Sequence, residues 1–93
     1  MSNAEKKLSR TTAGVVSAVD GAYVGYIVTT VTAVGAIIIY DNASAASGTI
    51  IDVIPSGTAA GTSRNLATPI AVRNGIYADF NGGATGTVTF IFN

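Results

Sequence analysis

The sequence predicts an all-β chain: a single antiparallel β-sandwich, jelly-roll-like, of about seven short strands with an extended N-terminal arm. Three observations carry that expectation. β-Branched and aromatic residues come in short runs, several of them alternating with small or polar residues. Gly, Asn, Asp and Pro separate those runs at turn-like intervals. No window has apolar residues at helical spacing with good helix formers between them, except that "NAEKKLSR" in the arm has the composition for a single turn.

Taken in order, residues 15–19 form the first strand, and the following Asp20-Gly21 favours positive φ and so a tight hairpin. Residues 23–32 come next, with Val24, Tyr26 and Val28 expected on one face and Tyr23, Gly25 and Ile27 on the other. Both sets are apolar, which predicts burial on two sides. Residues 36–40 are continuously apolar, as an interior strand is. Within "IIIYDNASAASG", Asp41-Asn42 marks the exit from that strand into a small-residue loop over 41–48.

Residues 49–54 form a strand closed by Pro55, which cannot donate to a ladder. Residues 56–65 are small and polar, a surface loop. Residues 67–72 carry Pro69 and so belong to an edge strand or a bulged one. Arg73-Asn74-Gly75 is a strong turn signal ahead of the run in which Ile76, Ala78 and Phe80 face one way and Tyr77 and Asp79 the other. Asn81-Gly82-Gly83 turns the chain again. Residues 87–92 then alternate, with Val88, Phe90 and Phe92 inward and Thr87, Thr89 and Ile91 outward. The domain division is therefore an arm over residues 1–12 and one sandwich over residues 13–93.

A chain of 93 residues buries only roughly 60 to 65% of the surface its unfolded form exposes. Only 11% of its residues are charged while 48% are apolar, so a solvated coat of Lys and Glu is missing from most of it. That deficit predicts a protein whose surface is covered by partners. Formal net charge is zero, without the basic footprint a nucleic-acid binder needs, and no nucleic-acid partner is expected. Residues 21–40 are uncharged, but three Thr, three Gly and no Leu mark strands rather than a membrane helix, and no membrane partner is expected either.

Catalysis has little to draw on. The chain has no His and no Cys, and its five acids stand singly at positions 5, 20, 41, 52 and 79, so no enzyme activity, metal centre or cofactor is expected. Asp20, Asp41 and Asp79 each lie at or beside a turn, where a carboxylate accepts from backbone N–H groups two residues on. Asp41-Asn42 is a weak candidate for calcium, because alanines fill the positions where further oxygen ligands would stand. Phe80, Phe90 and Phe92 have the spacing of core residues, which leaves one or two tyrosines for an interface. The arm sets Leu8 among Lys6, Lys7 and Arg10, a composition that does not join a strand core cheaply. These four residues are the candidate partner contacts, with Arg64 at the end of the 56–64 loop as a fifth.

"YDNASAASGTIIDVIP", Gly61-Thr62 and "VRNGIYADFNGGATGTVTFIFN", spanning roughly residues 35–93, resemble a group of small tailed-bacteriophage virion structural proteins of the capsid decoration or cement type. Asn74-Gly75-Ile76-Tyr77 stands where that group has Asn-Gly-Leu-Tyr. The arm lies outside the resemblance. What the resemblance implies is a structural protein on the capsid surface of a virion, binding the major capsid protein and bridging its subunits, self-associated as a homotrimer. The alternative it leaves open is a tail, fibre or head-tail component, touching host glycans.

Overall fold

The computed structural model describes residues 5–93, so residues 1–4 of the expected arm lie outside the described residues. Eight strands follow one another: β1 Lys6–Arg10, β2 Gly14–Ser17, β3 Gly21–Ala33, β4 Ile37–Asp41, β5 Thr49–Ile54, β6 Ser63–Val72, β7 Ile76–Phe80 and β8 Thr85–Phe92. They form two four-stranded sheets in the orders β1-β8-β3-β6 and β2-β7-β4-β5, every pairing antiparallel. This is the jelly-roll order, a sandwich of two Greek keys. The β4–β5 connection alone stays within one sheet; every other connection crosses to the opposite one.

Between the sheets, Tyr23, Val28, Ile37, Ile39, Ile54, Ala78, Val88 and Phe90 are fully buried and belong to one contiguous core. Each large apolar side chain there contributes about 1.5 to 3 kcal/mol by leaving water. The inward set Val88, Phe90, Phe92 and the set Ile76, Ala78, Phe80 lie as the alternation predicts. β4 is central, between β7 and β5, but only Ile37 and Ile39 are fully buried, and the outer Ile38 and Tyr40 keep some exposure.

Three sequence expectations are corrected. Asp20-Gly21 does not close a hairpin, because β2 and β3 belong to different sheets. Turn chemistry reverses the chain without deciding in which sheet the next strand lands. Tyr23 and Tyr26 share the core face rather than opposing each other, since the ladder shifts register between Tyr23 and Gly25. One extra residue, Val24, flips the side-chain alternation at that point. Finally, residues 6–10 are not an arm standing off the sandwich or a helical turn: they pair with β8 from Lys6 opposite Phe92 to Arg10 opposite Val88. Their charge suits an edge, where lysines discourage further strand pairing.

Pro69 sits in an edge strand that is also bulged. β6 pairs only with β3, and between Asn65 opposite Gly25 and Ile70 opposite Tyr23 four residues of β6 face one of β3. The segment before β6 is tied down rather than loose. Gly61 donates to the Val28 carbonyl and Val28 to that of Thr62, both at 2.7 Å, while Gly57 donates to the Thr32 carbonyl at 2.8 Å. The fully buried Thr32 hydroxyl donates to the Pro55 carbonyl at 2.9 Å and accepts from the Thr58 N–H at 2.8 Å.

Candidate functional site

Two polar clusters stand out, each built on one aspartate. Asp52 lies in β5, in the apolar run "IIDVI", and its register partner is the fully buried Ile39, so its side chain points between the sheets. There Tyr23 of β3 donates its hydroxyl to Asp52 Oδ2 at 2.8 Å. Arg64 of β6 donates from Nη1 to Asp52 Oδ1 at 3.1 Å, and the Val53 N–H donates to the same oxygen at 2.9 Å. The cluster therefore ties one sheet to the other at the side where β5 and β6 are the outermost strands. Asp52 is 8% exposed, whereas half of the Arg64 side chain faces solvent. Burial, and then the neighbouring Asp52 charge, push the Tyr23 hydroxyl far above the ordinary phenol range. Burial also raises Tyr26, with Asp52 adding to it.

Asp41, at the end of β4, holds backbone only. Its Oδ1 accepts from the N–H of Asn74 at 2.9 Å, of Arg73 at 3.2 Å and of Gly75 at 3.4 Å, and its Oδ2 accepts from Arg73 at 3.1 Å. These bonds hold the carboxyl below its usual range, the Asn74 bond most strongly, with the nearby Arg73 charge adding a little. The expected capping of residues two positions on falls to Asn42 instead: its Oδ1 accepts from the N–H of Ser44 and of Ala45, each at 2.9 Å, and its amide donates to the Ser47 carbonyl at 3.0 Å. Asp41 thus clamps a turn more than thirty residues away. Gly75 makes that turn possible, since φ is +151° and a Cβ there would strike the Ser17 carbonyl and crowd Ala43.

Of the other acids expected at turns, Asp79 lies within β7, opposite Ile38, rather than at a turn, and Asp20 sits in the β2–β3 crossover. Among the described residues no group of three metal-ligating side chains converges, and the Asp41 oxygens are already occupied by N–H donors, which opposes the calcium reading. Asp52 has both oxygens engaged in a dry setting, so neither carboxylate offers a free base beside a nucleophile.

The expected partner contacts divide. Lys6, Lys7 and Leu8 lie exposed along the free edge of β1. Arg10 instead wraps the β1–β2 crossover, donating to the carbonyls of Thr12 at 3.0 Å, Ala13 at 3.2 Å and Val15 at 3.3 Å. Arg64 is engaged by Asp52 while keeping half its side chain in water. The Asp52 cluster escaped sequence reasoning although a signal was present: a lone acid inside a β-branched run needs a buried partner. No helix among the described residues is long and apolar enough to cross a membrane.

Comparison with known protein families, with curated proteins and with solved structures finds no match to this chain.

Proposed function

We propose that the protein is a structural component of a phage particle, a decoration protein on the capsid surface that stabilises the shell by bridging subunits of the major capsid protein. The observation that carries this reading is the jelly-roll order itself, an architecture used by viral shell and lectin domains. What supports it further is that, among the described residues, the two aspartate clusters are engaged in holding the fold. Binding only the assembled shell shifts the shell toward assembly by mass action. The exposed edge of β1, with Lys6, Lys7 and Leu8, is the contact we assign to the capsid subunit. The test is gold-labelled antibody on intact particles: label over the whole head is expected, and label confined to one vertex or to the tail would overturn the assignment.

A second reading, a tail or fibre component that touches glycans, is favoured by one feature. Tyr40 and Tyr77 stand directly opposite each other on the outside of a sheet, two neighbouring aromatic side chains against which a sugar ring can stack. A glycan array separates the two readings. Reproducible binding that Tyr40→Ala and Tyr77→Ala each abolish would establish the second.

A further inference from the structure

Asn-Gly occurs twice in the chain, at 74–75 and at 81–82. The dipeptide carries chemistry of its own. The backbone nitrogen after an asparagine can attack the side-chain amide, and a glycine there has no side chain to shield that nitrogen or to restrict the rotation the attack needs.

The fold puts the two copies in opposite settings. Asn74 is exposed, but Gly75 is buried, and a Cβ on it would meet Ser17, Ala43 and Asn42. Its N–H donates to Asp41 Oδ1 at 3.4 Å, and those of Asn74 and Arg73 donate to the same oxygen at 2.9 and 3.2 Å. A backbone nitrogen gives up its proton in order to attack, and a carboxylate beside it disfavours the resulting anion. Asn81, Gly82 and Gly83, by contrast, are all exposed. Nothing lies within 4 Å of where a Cβ on Gly82 would stand. This turn has no side-chain cap, and the first N–H groups of a helical turn have no partner within it, so the Gly82 nitrogen is open to water. Rotation of the Asn81–Gly82 peptide releases the bond from the Ala84 N–H to the Asn81 carbonyl, at 3.1 Å.

We propose that Asn81 is a site of spontaneous modification in the folded protein, converting to isoaspartate, while the Asp41 clamp protects Asn74. The Gly82 nitrogen, having lost its proton to base, bonds to Asn81 Cγ. The Cγ–Nδ2 bond breaks, and the side-chain nitrogen takes up a proton and leaves as ammonia, closing a five-membered succinimide. Water then opens the ring. Addition at Cγ gives aspartate, whereas addition at the main-chain carbonyl carbon gives isoaspartate, with the backbone rerouted through the side chain. One water enters, one ammonia leaves, and nothing is oxidised or reduced. The proposal does not depend on the particle reading.

The product strikes a joint of the fold. The turn links β7 to β8, an inner strand of each sheet. Isoaspartate lengthens that link by one methylene and turns the former Asn81 carbonyl into a carboxylate, where a Cβ on Gly35 would already strike the single oxygen. It also adds one negative charge to a chain of zero formal net charge.

The experiment is peptide mapping by mass spectrometry on the full chain held in warm, near-neutral buffer, with electron-transfer fragmentation to separate isoaspartate from aspartate. Loss of Asn81, mainly to isoaspartate, is expected about tenfold faster than loss of Asn74. In guanidinium chloride, where the fold is gone, the two rates should converge, a comparison that needs no variant. In folded Asp41→Ala the Asn74 rate should rise while the Asn81 rate stays as it was. An intact Asn81, an Asn74 lost as fast as Asn81 in the folded chain, a rate ratio unchanged in guanidinium chloride, or an Asn74 rate unmoved in folded Asp41→Ala would overturn the proposal.

Discussion

Asp41 and Asp52 lie eleven residues apart in adjacent strands, and both gather hydrogen bonds, yet they hold the molecule in opposite ways. Asp52 is buried, meets two side chains and one backbone N–H, and ties one sheet to the other. Asp41 is partly exposed, accepts only from backbone, and shapes a single turn. The difference teaches where each should fail. A buried carboxylate leaves its partners stranded when removed, whereas an exposed one leaves N–H groups that water can reach.

The largest effect is expected at Asp52→Ala, which strands the fully buried Tyr23 hydroxyl and opens a space between the sheets. A loss of about 3 kcal/mol is expected, read as a lower urea midpoint at unchanged m. Tyr23→Phe should cost less, about 1 to 2 kcal/mol, because Asp52 keeps Arg64 and the Val53 N–H. Asp41→Ala follows at about 1 kcal/mol, moderated by solvent. Asn42→Ala, confined to its own loop, should be smallest at about 0.5 kcal/mol. If Asp41→Ala matched or exceeded Asp52→Ala, the contrast drawn between the two acids would be wrong.

The pH dependence divides the same pair. The folded value of Asp41 lies below its ordinary 3.8, so its contribution is present above that value and lost as pH falls through the folded one. Tyr23 is raised above its ordinary 10.0, so its contribution is present below 10.0 and lost as pH rises beyond it. Urea midpoints should therefore fall at both ends. Asp41→Asn should flatten the acid limb alone and Tyr23→Phe the alkaline limb alone.

Much of the architecture was legible because local chemistry carries it. The alternation of Val88, Phe90 and Phe92, the Pro69 edge and the Asn81-Gly82-Gly83 turn are decided by neighbours in the chain. What was hidden depends on residues far apart. β1 carries no apolar alternation, and only the free edge of β8 makes residues 6–10 a strand. The extra residue at Val24, which turns Tyr23 inward toward Asp52, is visible only in the paired ladder. Asp41 holds backbone N–H groups, as its place beside a turn predicts, but its partners at residues 73–75 lie more than thirty residues away, where its own loop carries no sign of them. For the exposed edge at Lys6, Lys7 and Leu8, the sequence marked the residues and the fold supplied their setting.

The position of the last two strands has a consequence for how the molecule is made. β8 fills the place between β1 and β3, and β7 the place between β2 and β4. During synthesis, each sheet therefore waits with a missing slat until residues 76–92 have left the ribosome. Pairing across that separation is slow, in the range of milliseconds to seconds for β-sandwiches. Until then the nascent chain presents open strand edges on both sides of an unfinished core, the form most prone to pair with the wrong neighbour.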